Sequence, residues 1–198
     1  AIPILPNEPT VRTLGATAPS KQHALSPFGY LVVGVNDEYS FDVRRSDGRV
    51  VRIERVYEPV EFLPEERAEL QAVFDWFRDN NYPVEVASVP DHKLPYGPLL
   101  ADEEDRIWVR RHVPARKDDT VEQPPEGSNR PPATTWGEPG VYDVFEPDGT
   151  YLGEVRFPWL TRPLVVRGDT AWGVRRGESG EDYIVRLVMS REASGEPD

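Results

Sequence analysis

An Asp-Gly turn stands between two alternating strands twice in this chain, and that repetition constrains the fold more than any other feature. The first instance is VRRSDGRVVRIERV, residues 43 to 56; the second is FEPDGTYLGEVRFP, residues 145 to 158. Glycine supplies the positive φ that a tight hairpin turn demands. The period-2 runs of β-branched and aromatic residues on either side read as strands. Two hairpins alone fit any antiparallel meander in a sandwich or barrel, so the flanking residues decide how far the repeat extends.

They extend it to a larger unit. Residues 23 to 56 read as an apolar pair (Ala24, Leu25), a turn at Gly29, strands Tyr30–Val35 and Tyr39–Arg44, then the turn 46–49 and a strand Val50–Val56. In the second unit, Leu99 and Leu100 match the apolar pair, and the acidic turn Asp102–Asp105 replaces Ser26–Gly29. Ile107, Trp108 and Val109 match Leu31, Val32 and Val33, and Tyr142–Phe145 matches Tyr39–Val43. A third unit, RPLVVRGDTAWGVRRGESGEDYIVRLVMSR (162–191), repeats the order without an outer strand, and Trp172 aligns with Trp108. One supersecondary element in three copies predicts a mainly β fold of antiparallel, propeller-like repeats, about three blades.

These stretches resemble the blades of bacterial six-bladed β-propellers of the NHL and TolB-like kind. The likeness rests on PLLADEEDRIWV as an inner strand pair and VYDVFEPDGTYLGEVRFP as an outer hairpin, and it covers residues 23 to 191 between two insertions. It implies about half a propeller. A blade packs against neighbours on both sides, so the missing half is expected from another protein chain or a second copy. Thr10–Leu14 reads as the outer strand of a preceding blade. The organisation is then a Pro-rich segment 1–22, repeats at 23–61, 94–160 and 161–191, a helical insertion 62–93, a loop insertion 114–139 and a tail 192–198, all one domain.

The insertions differ in kind. PEERAELQAVFDWFRDN, residues 64 to 80, is an amphipathic helix: Pro64 suits the first turn, Glu65 and Glu66 the positive end of the dipole, and Asn80, Asn81 and Pro83 the stop. Leu70, Phe74 and Phe77 share a face with Trp76 at its flank. That face either packs on the propeller or docks a partner. Residues 114–139 are rich in Pro, Gly, Ser, Thr and charge, and predict an extended loop without a core of its own, with Trp136 tucked back onto the blade.

Composition narrows the partners. The 198 residues carry 23 Lys and Arg against 35 Asp and Glu, a net charge of -12, which disfavours general affinity for nucleic acid. With no cysteine, disulfides, thiolate metal sites and a cysteine nucleophile are excluded. No apolar run approaches the roughly 20 residues of a membrane-spanning helix. The sequence opens on Ala1, as a processed or trimmed N-terminus would, and the expected location is periplasmic or extracellular.

No catalytic arrangement stands out. His23, His92 and His112 lack metal spacing, the serines lack nucleophile-elbow glycines, and there is no phosphate-binding glycine loop. ADEED, residues 101 to 105, reads as a solvated turn rather than a calcium loop. No catalytic residue, metal or cofactor is therefore assigned. Arg110, Arg111, Arg175 and Arg176 close the second strands of two units, with His112 beside them. They are candidate ligands for a carboxylate or phosphate, or else partners of neighbouring acids. Leu70, Phe74, Trp76 and Phe77 are the candidate partner-docking residues. The expectation is a non-catalytic binding or scaffold module of an exported protein, docking a protein partner or small anion through a propeller face. The alternative is a propeller-type hydrolase or lyase whose channel site is completed by a missing half.

Overall fold

The computed structural model describes residues 17–82, 88–177 and 180–190. The expected strand at residues 10–14, and the tail 192–198, lie outside the described residues. The described residues are mainly antiparallel β with one helix. Sheet 1 runs in order β1 (Lys21–Leu25), β2 (Leu31–Val35), β3 (Ser40–Arg44) and β4 (Val50–Glu54), with α1 (Pro64–Asp79) following it. Sheet 2 consists of β5 (Tyr96–Ala101), β6 (Ile107–Arg111), β9 (Val141–Phe145) and β10 (Tyr151–Arg156). Between β6 and β9 a two-stranded ribbon forms from β7 (Arg116–Lys117) and β8 (Trp136–Gly137). Sheet 3 has three strands, β11 (Thr161–Arg167), β12 (Thr170–Arg176) and β13 (Asp182–Val188), and none of the sheets is closed.

The turns explain why the units fold alike. Ser26 N–H bonds the Tyr30 carbonyl at 2.9 Å, as Asp102 N–H bonds that of Arg106 at 3.0 Å. Each first residue then uses its side-chain oxygen to accept the N–H two positions on. Gly29 has φ 82° and its counterpart Asp105 φ 68°. The outer hairpins match as closely, with Gly48 at φ 85° and Gly149 at φ 96°. In each, the Asp before the glycine accepts a backbone N–H, from Arg49 and from Thr150.

The three sheets stack face to face in chain order. Val32, Phe41, Val43 and Ile53 of sheet 1 pack on Leu99, Ile107, Val109 and Phe145 of sheet 2. The opposite face of sheet 2, with Trp108, Tyr142 and Val144, packs on Val166, Ala171 and Leu187 of sheet 3. Sheet 2 is thus covered on both sides, and all five residues of β9 are buried. A strand buried on both faces loses its polar alternation, which is why VYDVF reads as a nearly continuous apolar run.

Pairing registers fix the equivalences. Val32 pairs Ala24 and Val43, Trp108 pairs Leu100 and Val144, and Trp172 pairs Val165 and Arg186. Val32 and Trp108 face the next sheet, and Trp172 faces away from sheet 2. We call this the leading face, and the opposite one the trailing face. Among the described residues no further sheet lies on the leading face of sheet 3, and Trp172 is 37% exposed where Trp108 is 1% exposed.

Two expectations need correction. The loop insertion is not without internal order: Ala115 and Asp118 are buried, and Asp118 N–H bonds the Thr135 carbonyl across the ribbon. Sheet 1 begins at Lys21, two residues before the proposed repeat boundary, because Lys21 and Gln22 continue the pairing with Val35 and Gly34.

Candidate functional site

Both insertions leave the stack at one end. α1 lies in the connection from β4 to β5, and the ribbon lies between β6 and β9. Leu63 is the residue before the helix; it cannot cap with its side chain, and Glu66 Oε2 instead accepts the Leu63 N–H at 3.3 Å. Phe74 and Leu70 pack with Phe62 and Val89, and Trp76 stacks on Tyr82 with ring centroids 5.8 Å apart. Phe74 and Phe77 are buried within the chain, so the apolar face serves packing. Glu69 ties helix to loop by accepting both the N–H and the hydroxyl of Thr135, at 2.7 and 2.6 Å.

Under the helix sits a buried ion cluster. Lys93 Nζ, with no exposed side-chain surface, donates to Glu66 Oε1 at 2.7 Å, Glu138 Oε1 at 2.9 Å and the Val113 carbonyl at 3.2 Å. Its three protons are thereby all used. His112 Nδ1 lies 2.9 Å from Glu138 Oε2, so one lysine and one histidine face two carboxylates. Burial pushes the Glu138 carboxyl up, but the His112 bond and charge, with Lys93, outweigh it and hold Glu138 below its ordinary value. The cluster joins the helix (Glu66), the segment before β5 (Lys93), the end of β6 (His112) and the loop insertion (Glu138).

A second polar cluster centres on Asp143, which is buried in the middle of β9. Its carboxylate accepts the Tyr39 hydroxyl at 2.6 Å and that of Tyr151 at 3.1 Å. Arg55 Nη1 pairs with Asp143 Oδ2, and the Arg55 guanidinium lies 4.3 Å from the centroid of the Tyr151 ring. Arg111 stands 3.7 Å from Asp143 and 3.0 Å from Glu154. Burial raises the Tyr39 phenol far above its usual range, and the neighbouring Asp143 charge adds to that. Burial lowers the Arg55 pKa, but the bond to Asp143 more than reverses this.

Tyr39, Arg55, Arg111, His112 and Asp143 line a cleft of about 640 Å³ between sheets 1 and 2. Its walls include Tyr57, Pro59, Leu63, Leu94, Pro95 and Pro114, with Glu58 and Glu61 also lining it. The volume falls within the range of small-molecule and peptide sites.

The sequence-predicted residues divide. Arg111 and His112 enter this cleft. Arg110, one residue away on a strand, points to the other face and lines a smaller pocket with Leu70 and Trp136. Arg175 takes the Arg111 position of sheet 3, because Arg111 pairs Val141 as Arg175 pairs Tyr183. The two pairs are therefore offset by one residue, with Arg176 matching His112. Arg175 and Arg176 are exposed at the end of β12 and do not join the cleft. The ADEED turn is not simply solvated: Asp102 is buried and accepts the Trp108 indole N–H at 2.8 Å and Arg106 Nε at 2.6 Å. Among the described residues no group of three His, Asp or Glu is arranged to hold a metal, and no helix is long and apolar enough to cross a membrane.

Comparison with protein families, with characterised proteins and with solved structures found no match.

Sequence reasoning missed Asp143, Arg55 and Lys93. An acid inside an apolar strand was the available signal for Asp143, and SFDVR repeats it at Asp42. The registers make the two equivalent, since Val33 pairs Asp42 and Val109 pairs Asp143.

Proposed function

We propose that the chain is a non-catalytic binding module of the β-propeller type, whose insertion-bearing end takes a carboxylate-bearing segment of a protein partner. The observation that carries this reading is the floor of the cleft. The Arg55 and Arg111 side chains are 29% and 28% exposed there, Arg55 paired with Asp143 and Arg111 paired with Glu154 at 3.0 Å with Asp143 3.7 Å away. A guanidinium oriented on one edge keeps other donors for a ligand carboxylate, and its fixed orientation reduces the entropy lost on binding. Pro59, Pro95 and Pro114 suit an extended guest, because proline walls hold their backbone extended and offer no competing N–H. The propeller-type assignment is supported by the head-to-tail stacking of equivalent sheets.

The test is a nuclear magnetic resonance titration of isotope-labelled protein with a short peptide of Asp and Leu residues, with a Lys and Leu peptide and inorganic phosphate as comparisons. The acidic peptide is expected to shift the side-chain N–H signals of Arg55 and Arg111 and the ring of Tyr57. Arg111→Leu is expected to weaken binding at least fivefold. Equal responses to both peptides, or shifts confined to other surfaces, would overturn the reading. A response to phosphate alone would replace the partner segment with a small anion.

A further inference from the structure

The ends of the stack carry the two halves of an interface that the chain already makes twice. Leading faces meet trailing faces between sheets 1 and 2 and again between sheets 2 and 3. The leading face of sheet 3 presents Val165, Trp172 and Ile184, the last 80% exposed. The trailing face of sheet 1 presents Leu25, Leu31 and Val35, with Leu25 75% exposed. By register, Trp172 stands where Trp108 stands in sheet 2, and Leu31 stands where Ile107 stands. Trp172, Ile184 and Leu31 are therefore the counterparts of the buried interface residues Trp108, Tyr142 and Ile107. Large apolar residues are thus exposed on both end faces, beside the Arg44–Asp42–Arg52 ion pairs on sheet 1 and Arg186 on sheet 3. Exposed apolar groups of this kind mark an association site.

We propose that a second copy of this chain covers both faces. The leading face of sheet 3 in each copy seats on the trailing face of sheet 1 in the other. The inference rests on the stacked-repeat reading above and adds the identity of the neighbour. The occupant is a second copy because the chain itself carries both complementary halves, and the interface that fits them is the one formed inside it. Such a contact is heterologous at each seam. Two copies related by a two-fold axis close both seams at once, so neither apolar face is left to propagate a filament.

The internal interface also supplies the register. Phe41 of sheet 1 meets Phe145 of sheet 2 with ring centroids 5.8 Å apart. Ile184 is the counterpart of Phe41, pairing Val174 as Phe41 precedes the Asp42–Val33 pair, and Arg44 is the counterpart of Phe145. Ile184 of one copy should therefore face Arg44 of the other.

Light scattering over a dilution series gives the first test. The expected particle has twice the 22.5 kDa chain mass, and Trp172→Glu should return it to a single chain. The second test uses the absence of native cysteine. Singly substituted Ile184→Cys and Arg44→Cys proteins, mixed and oxidised, should form a disulfide containing one of each, well above the like-with-like products. A 22.5 kDa particle at all concentrations, or cross-linking dominated by like pairs, would overturn the proposal. The cleft lies at the insertion end, so the two readings fail separately. A monomer that still binds the acidic peptide removes only the second copy, and a dimer that ignores the peptide removes only the cleft's ligand.

Discussion

Trp108 and Trp172 occupy the same register position in consecutive sheets, yet the first is sealed by the next sheet and the second is open. The same residue type at equivalent sites should therefore contribute very differently to the stability of one chain. Trp108→Ala is expected to cost about 3 to 5 kcal/mol, the usual range for a large buried aromatic. It also removes one of the donors to the Asp102 carboxylate, which keeps its bonds from Arg106 and Glu104. Trp172→Ala should cost well under half of that in monomeric protein. Urea melts of the two variants compare them directly, and equal losses would contradict the equivalence of the sites.

The outer-hairpin glycines should tolerate little. Gly48→Val and Gly149→Val should each destabilise by about 1 kcal/mol or more, because φ near +90° is strained for a β-branched residue. Gly149 has less room as well, since an added Cβ would lie 3.5 Å from Ile53 Cγ1. Thermal melts should rank both below a deletion of residues 125–131. That deletion leaves Gln123 bonded to Ala133, at 2.9 and 3.0 Å, across the shortened tip. A deletion extended back to Asp118 should cost more, because Asp118 anchors the ribbon.

Lys93→Met should be far more damaging than a surface lysine change. It leaves Glu66 and Glu138 facing one another in a buried site, at a cost on the order of 3 to 5 kcal/mol. Glu138 also sets a pH dependence. Its carboxyl is held below its ordinary 4.5 in the folded chain, so its contribution is full above that pH and fades as pH falls through the lowered value. Glu138→Gln should flatten this acid limb while lowering stability at neutral pH. Denaturant melts between pH 3 and about pH 7 would check the sign.

Asp143→Asn should release Tyr39. The phenol is held up first by burial and then by the Asp143 charge and hydrogen bond. Removing the charge should lower its ionisation toward the usual range, seen by ultraviolet difference spectroscopy against Tyr39→Phe. The same variant leaves Arg55 without its counter-ion, so it should also weaken the acidic-peptide response by changing how Arg55 is oriented. An unchanged phenol titration would mean that burial alone sets it.

The sequence makes the repeat legible because each turn carries its own chemistry. Asp-Gly at 47–48 and 148–149 states a positive φ, and the match of Ser26 with Asp102 states a side-chain cap. The helix was legible for the same reason, from its proline, acids and 3.6-residue period. The cleft was not. Its floor combines Arg55, from just past β4, with Arg111 and Asp143 from sheet 2, and only the stacking of sheets brings them together. Lys93 and Glu138 lie 45 residues apart in segments without periodicity, and nothing local marks either as buried. The exposure of Trp172 was equally hidden, since a strand's pattern does not say whether another sheet follows.

Hydrogen exchange tests the stacked, open-ended arrangement most directly. It is best measured on the Trp172→Glu protein, where the outer face of sheet 3 stays free of a second copy. Sheet 2 is covered on both faces and should exchange slowest, with the amides of Trp108 and Val144 near the global limit. The amides of Ile184 and Arg186 in β13, at the open end, should exchange markedly faster. Equal protection of β9 and β13, or exchange in β9 as fast as in the 114–139 insertion, would contradict the account.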